Sequence, residues 1–217
     1  MGGLGPKLLV PVGGRPALER VLDAFLEVGA VGEIVAVIPE SLVASAKRVL
    51  ASRPNPRGAR LAVVTGGATR QASVARGLAA LERGLPFIAV HDVARVLVSP
   101  ALIERVLDAA RASGAALPAC PLRDTVKEVA EGRVVRSVDR ARLQGAQTPQ
   151  IFARDILARA HAAAIEEGTD ATDDATLVER IGCAVSVVPG EPANLKLTEP
   201  GDVRILEAWL DAPRVEG

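Results

Sequence analysis

Short apolar runs rich in β-branched residues alternate along the chain with longer amphipathic stretches. The runs are EIVAVI (33–38), RLAVV (60–64), FIAV (87–90), AALPAC (115–120) and AVSVV (184–188). Around them, apolar positions recur at helical spacing near 16–28, 40–51, 70–82, 100–113, 153–166, 174–181 and 200–210. Strand candidates that are apolar throughout need cover on both faces. Their alternation with helices therefore predicts an α/β fold, a three-layer, mostly parallel sheet. In such sheets ligands bind beyond the carboxyl ends of the strands, where connecting loops converge.

One segment departs from this rhythm. DTVKEVAEGRVVRSVDR (124–140) alternates valine with polar residues on either side of Glu131-Gly132, which predicts an inserted β-hairpin arm. A lone hairpin is marginal in water. Its valine face needs a cover, either a second copy of the chain, giving a homodimer, or the protein's own sheet. The opening is also unusual, because a parallel α/β chain normally begins with a strand. Here MGGLGPKLLVPVGGRPALERVL starts inside a Gly-rich loop, so a strand and the front of that loop are expected ahead of Met1.

Composition narrows the function classes. With 217 residues the chain supports one substantial core, and 1–217 reads as a single domain carrying the arm at 124–140. Twenty-six basic residues cancel 26 acidic ones. No global field then favours nucleic acid or an anionic membrane, and any anion site must be built locally. No run approaches the ~18 apolar residues of a membrane span, and the start lacks a signal-peptide layout. A soluble cytoplasmic protein is expected. Cys120 and Cys183 lie far apart in apolar segments, which reads as two free thiols rather than a disulfide or metal site.

The candidate chemistry is cationic. In FIAVHDVARVLVSP (87–100), Asp92 falls just beyond a strand, beside His91 and ahead of Arg95. Such a carboxylate needs a partner or a role. It is expected either to form a salt bridge with Arg95 or to hold a hard divalent cation whose shell is completed by phosphate oxygens and water. His91 reads as a packed neighbour, since no second His or Cys stands at ligand spacing.

In VVTGGATRQASVARGL (63–78), a strand, a Gly-Gly turn and a helix start follow in order. The turn would let a planar ligand or an anion approach backbone N–H groups, or it is a plain connection capped by Thr65 or Thr69. GTDATDDAT (168–176) reads as a helix N-cap run. The chain has four lysines, Lys7, Lys47, Lys127 and Lys196. Lys7 ends the glycine-rich GGLGPK, which can cradle phosphate without matching the Walker or GxGxxG patterns. Lys196 precedes a helix opened by Thr198 or Glu199 with Pro200. No nucleophile triad and no carboxylate pair spaced for acid–base work is present.

Taken together, GPKLLVPVGGRPALERVL, GGATRQASV, HDVAR, PLRDTVK, VDR, QTPQIF, TDDA and NLKLT resemble the 2-C-methyl-D-erythritol 4-phosphate cytidylyltransferases of non-mevalonate isoprenoid synthesis. The likeness spans nearly the whole chain in family order and implies a nucleotidyltransferase (Rossmann-like) fold. It also implies transfer of CMP. The substrate's phosphate attacks the α-phosphorus of CTP in line, and Mg2+-bound pyrophosphate leaves. Carried over by position, Lys7 stabilises the transition state, while Lys196 positions phosphates and substrate.

The resemblance further implies that Asp92 meets the metal and the sugar-alcohol phosphate, with Arg95 holding that loop. Gly66, Gly67, Arg70 and Ser73 match the cytidine pocket, and Thr148 and Thr172 match substrate-side contacts. Thr125 and Arg140 lie on the arm that, in the family, swaps across a homodimer and completes the neighbour's site. Relatives carry a first strand and an AAGxGxR loop before PK, of which only the tail stands here, and many have an acidic residue where Ala68 stands. A ribitol 5-phosphate cytidylyltransferase would share the CTP half and differ near 140–172. A nucleotide-binding dimer impaired in catalysis by the incomplete loop is the reading from another class.

Overall fold

The computed structural model describes residues 7–212. A 3-10 turn at Lys7–Leu9 leads into a tight hairpin of β1 (Pro11–Val12) and β2 (Arg15–Pro16). Gly13 and Gly14 turn that hairpin at φ +53° and +71°. Two successive left-handed residues are cheap only without a Cβ.

The α/β units follow in chain order. They are α1 (Ala17–Glu27), β3 (Glu33–Ile38), α2 (Val43–Ala51), β4 (Arg60–Thr65), α3 (Arg70–Ala79), β5 (Phe87–Val90), α4 (Pro100–Ser113) and β6 (Ala115–Pro121). The arm is β7 (Val126–Ala130) with β8 (Arg133–Val138), followed by β9 (Gln144–Ala146) and β10 (Gln150–Ala153). The chain closes with α5 (Arg154–Glu166), α6 (Asp174–Arg180), β11 (Ser186–Pro189) and α7 (Pro200–Asp211). Among the described residues no helix is long and apolar enough to cross a membrane.

Local signals set the helix ends. The α4 helix begins where the Ser99 side chain accepts from Leu102 N and Pro100 takes the first helical position. It stops at Gly114, φ +86°. Its buried face is Leu102, Ile103, Val106 and Ala110. Cys120 and Cys183 are free thiols, as expected.

The sheet is parallel-rich but mixed. β3 runs parallel to β4, and β11 parallel to β6. The sequence pattern did not predict β10, which lies antiparallel between β5 and β6, nor β9, which is antiparallel to β6. Strand β10 is held by packing to both sides. Ile151 joins the core under α1 and α4, and Phe152 joins the core under α5 and α6. Burying each contributes about 1.5–3 kcal/mol. Strand β6 alternates likewise, with Ala116 on the first side and Ala115, Leu117 and Ala119 on the second. This is the three-layer arrangement.

Two strand edges remain open. Among the described residues nothing pairs with β3 on the side away from β4, or with β5 on the side away from β10. An apolar cleft of about 770 Å³ is lined by both strands, with Arg70, His91 and Asp92 also in its wall. The expected first strand thus has no counterpart among the described residues.

Among the described residues the arm pairs only with itself. Val129, Val134 and Val135 are 57%, 61% and 58% exposed. The expectation that the arm folds back on its own sheet is therefore overturned: its two strands bond to each other and the valines stay in solvent.

Candidate functional site

The loops after β4, β5 and β11 and the helix start of α3 meet at one end of the sheet. Asp92 follows β5 by two residues, and its loop is held by a chain of hydrogen bonds. The Arg95 carbonyl lies 3.2 Å from His91 Nε2, the Thr148 hydroxyl 3.0 Å from His91 Nδ1, and Asp92 N donates to that hydroxyl at 3.1 Å. A carbonyl can only accept, so this pattern assigns the proton to Nε2; Nδ1 then accepts from Thr148. Desolvation pulls the His91 pKa from 6.5 down to about 4, which keeps the ring neutral as the pattern needs.

Arg95 does not form the salt bridge with Asp92 that the sequence allowed. Its guanidinium donates to the Asn194 and Ala146 carbonyls at 2.9 and 3.0 Å. It ties the Asp92 loop to the end of β9 and to the loop after β11, a holding role rather than a pairing one. The buried Gln147 and Asn194 reinforce that joint. Asn194 Nδ2 donates to the Thr148 carbonyl at 2.9 Å, and Gln147 Nε2 to the Glu191 carbonyl at 2.9 Å.

Asp92 takes its charge partners from elsewhere. Lys196 Nζ donates to Asp92 Oδ2 at 2.7 Å, and Arg70 Nε to Oδ1 at 3.3 Å. Desolvation pushes the Asp92 carboxyl up, but the Lys196 hydrogen bond and the charges of Arg70 and Lys196 outweigh it and hold the pKa below its ordinary value. Arg70 Nη1 also donates to Asp174 Oδ2 at 2.8 Å, and Asp174 Oδ1 meets His161 Nε2 at 2.8 Å. The result is a line of alternating groups, His161, Asp174, Arg70, Asp92 and Lys196, running from the interior to the surface.

The Gly-Gly turn lies beside this line. Thr69 caps α3 by accepting from Ala72 N at 3.1 Å, so the capping expectation holds at Thr69. The Ser73 hydroxyl donates to the Thr69 carbonyl at 2.9 Å and accepts from Gly67 N at 3.0 Å, which folds the turn back onto the helix. A Cβ at Gly67 would sit 2.6 Å from Ala72 Cβ and 2.9 Å from its carbonyl carbon. The α3 backbone would have to move. Gly67→Ala is accordingly expected to cost about 2 kcal/mol. Thermal melts check this, and an unchanged melting temperature would contradict it.

The remaining sequence candidates separate by place. Gly66, Gly67, Arg70, Ser73, Asp92, Arg95, Thr148 and Lys196 come together here. Thr172 is exposed, just ahead of the α6 cap, where Asp173 accepts from Thr176 N at 3.0 Å as the N-cap reading expected. Thr125 and Arg140 sit exposed at the two ends of the arm. The Lys7 side chain, and the glycine loop before it, lie outside the described residues. Sequence reasoning missed Asp174, His161, Gln147 and Asn194. The doubled acid of TDDA was the available signal, since one carboxylate caps the helix and leaves the other for a different partner.

A family model described as 2-C-methyl-D-erythritol 4-phosphate cytidylyltransferase matches residues 1–212. A protein of that name from Nocardia farcinica is 44% identical over 213 residues, 97% of this chain and 88% of its own. Another from Prochlorococcus marinus is 42% identical over 219 residues, 97% and 92% of the two chains. Among solved structures, the enzyme of that name from Thermus thermophilus aligns with TM-score 0.80 at 40% identity, covering 97% of this chain and 96% of its own. The 4-diphosphocytidyl-2C-methyl-D-erythritol synthase from Anaerococcus prevotii aligns with TM-score 0.86 at 29% identity over 96% and 94%.

Proposed function

The chain belongs to the 2-C-methyl-D-erythritol 4-phosphate cytidylyltransferase family, and from that premise we propose that it transfers CMP from CTP to 2-C-methyl-D-erythritol 4-phosphate. A phosphate oxygen of the acceptor bonds to the α-phosphorus of CTP, the α–β bridging bond breaks, and pyrophosphate leaves. The products are 4-diphosphocytidyl-2-C-methyl-D-erythritol and pyrophosphate, in isoprenoid precursor synthesis. The observation that carries this reading is the meeting of Lys196 and Arg70 on one ionised Asp92, at the carboxyl end of β5, in a chain matching the family throughout.

The residues suit that chemistry. Phosphoryl-type transfer asks a protein mainly to position reactants and neutralise charge. Lys196 is a compact, mobile ammonium whose hydrogen bond to Asp92 is half open to solvent, so it can exchange that carboxylate for an incoming phosphate. Gly66 and Gly67 let the turn close against α3 beside the nucleotide pocket, their N–H groups taken by the Ile38 carbonyl and the Ser73 hydroxyl. Among the described residues no three His, Cys or acidic groups gather as a metal cage. One ionised, accessible carboxylate is what a magnesium ion needs when phosphates and water fill its other positions. Asp92 would hold it, and the ion would supply positive charge to the triphosphate.

We assign Thr172 to the acceptor side and Lys7 to the transition state; Thr148, buried with its hydroxyl taken by His91 and Asp92 N, holds the Asp92 loop and does not meet the acceptor. Thr125 and Arg140 act in the partner's site of a cytoplasmic homodimer. Support for the homodimer comes from the exposed valines of the arm, which leave an apolar face without cover. Arg140→Ala and Lys196→Ala, each strongly impaired alone, are then expected to recover part of the activity when mixed under exchange conditions, because hybrid dimers contain one intact site. No recovery would place Arg140 outside a shared site.

Pyrophosphate release with CTP and each acceptor tests the whole reading. Turnover with 2-C-methyl-D-erythritol 4-phosphate is expected. Turnover with ribitol 5-phosphate alone would reassign the acceptor, and CTP binding without turnover on either would leave a nucleotide-binding protein.

A further inference from the structure

Asp174 is 1% exposed and His161 is 4% exposed. A carboxylate buried that deeply is tolerated only when its oxygens are paired, and here both are, one by His161 and one by Arg70. The pairing has a consequence at the surface end of the line. A guanidinium beside a carboxylate normally engages it through two parallel N–H bonds. Asp174 takes Nη1 and so fixes how the guanidinium is turned; in that orientation Nε faces Asp92 Oδ1 at 3.3 Å, and Asp92 Oδ2 is held by Lys196.

We propose that Asp174, braced by His161, is a positioning residue for the transfer reaction: it anchors the Arg70 guanidinium in the orientation that sets Nε against Asp92 Oδ1 and leaves Oδ2 to Lys196 or a cation. This rests on reading Asp92 and Lys196 as the phosphate-handling pair. When Lys196 turns to an incoming phosphate, Arg70 remains anchored and Asp92 keeps one positive neighbour. Without Asp174, the guanidinium is free to turn, to leave Oδ1 and to compete with Lys196 for Oδ2. His161 contributes by fixing the rotation of the Asp174 carboxylate. Its Nδ1 is buried with no partner among the described residues, so Nε2 is its one anchoring atom.

The test uses Asp174→Asn, which keeps the shape and removes the charge, and His161→Gln, which keeps a neutral donor. Pyrophosphate release is expected to show kcat reduced about tenfold or more in Asp174→Asn, with the KM for CTP changed less than about threefold. In an Arg70→Lys background the Asp174→Asn loss should largely vanish, because the two residues act through one contact. Losses that multiply independently would overturn the proposal, since a merely structural role behaves that way.

A second readout does not depend on activity. The Arg70 Nε–H resonance of 15N-arginine protein, identified by its absence in Arg70→Lys, is expected to move in both Asp174→Asn and His161→Gln and to stay when Thr172 is changed to Ala. An unmoved resonance would refute the positioning role. Should the wild-type protein show no transfer at all, the functional reading fails and the resonance alone decides the positioning one. If Asp174→Asn does not fold, His161→Gln carries both measurements.

Discussion

Lys196→Ala is expected to lower kcat for CMP transfer by about 10²–10³-fold while changing stability by less than about 1 kcal/mol. The asymmetry follows from where the ammonium sits. Its side chain is 44% exposed, and its one charge partner among the described residues, Asp92, keeps Arg70 after the change. In the folded protein without substrate the contact is a partly solvated ion pair, which water replaces at little cost. On the reaction path the same ammonium meets negative charge gathering on transferred and departing phosphate oxygens, and nothing replaces it there. Removing it also relieves part of the depression of the Asp92 pKa, since the Lys196 hydrogen bond is the strongest influence opposing desolvation of that carboxyl. Lys196→Arg should recover only part of the rate, because a planar fork does not follow a moving phosphate as a point charge does. Pyrophosphate release and thermal melts of the same preparations check both halves. Equal losses in rate and melting temperature would make Lys196 a structural residue.

The parallel units were legible because strand and helix periodicities differ and each strand is apolar on both faces, so 33–38, 60–64 and 87–90 stood out, the second one residue short of the strand observed. Strand β10 was not, because its order depends on partners. Gln150–Ala153 is four residues long and starts with a polar side chain. That glutamine becomes a buried core residue only because Asp173 and Ala175 N take up its amide at 2.7 and 3.0 Å. The site shows the same division. Asp92 and Lys196 are 104 residues apart, and their meeting was expected from the resemblance of the surrounding motifs. Nothing local in the sequence announces it. The buried end of the line was invisible for a related reason: His161 lies on a helix face that reads as core, and Asp174 stands next to the residue that does cap α6.

Acid should destabilise this protein well before its carboxylates protonate, and His91 is the reason. Desolvation, together with the Arg95 charge, lowers its pKa from 6.5 to about 4, against a smaller upward pull from Asp92 and the hydrogen bonds at Arg95 and Thr148. Between those values the unfolded chain binds a proton at this position and the folded chain does not, so stability falls as pH falls. The contribution is fully present above about pH 6.5 and is lost by about pH 4. At about 1.4 kcal/mol per pH unit across that window, the loss is on the order of 3 kcal/mol. Asp92, whose pKa lies below 3.8, adds its own loss only at still lower pH. Protonating Nδ1 would also destroy the acceptor that receives the Thr148 hydroxyl, so the Asp92 loop loosens as the fold weakens. Urea unfolding of the wild type and of His91→Gln at about pH 7, 5.5 and 4.5 separates this group from the rest of the molecule. The variant is expected to be less stable at neutral pH yet to lose distinctly less on acidification. Parallel curves for the two proteins would mean that the imidazole is not held neutral in the fold, and the proton assignment on which the Asp92 loop depends would have to be abandoned.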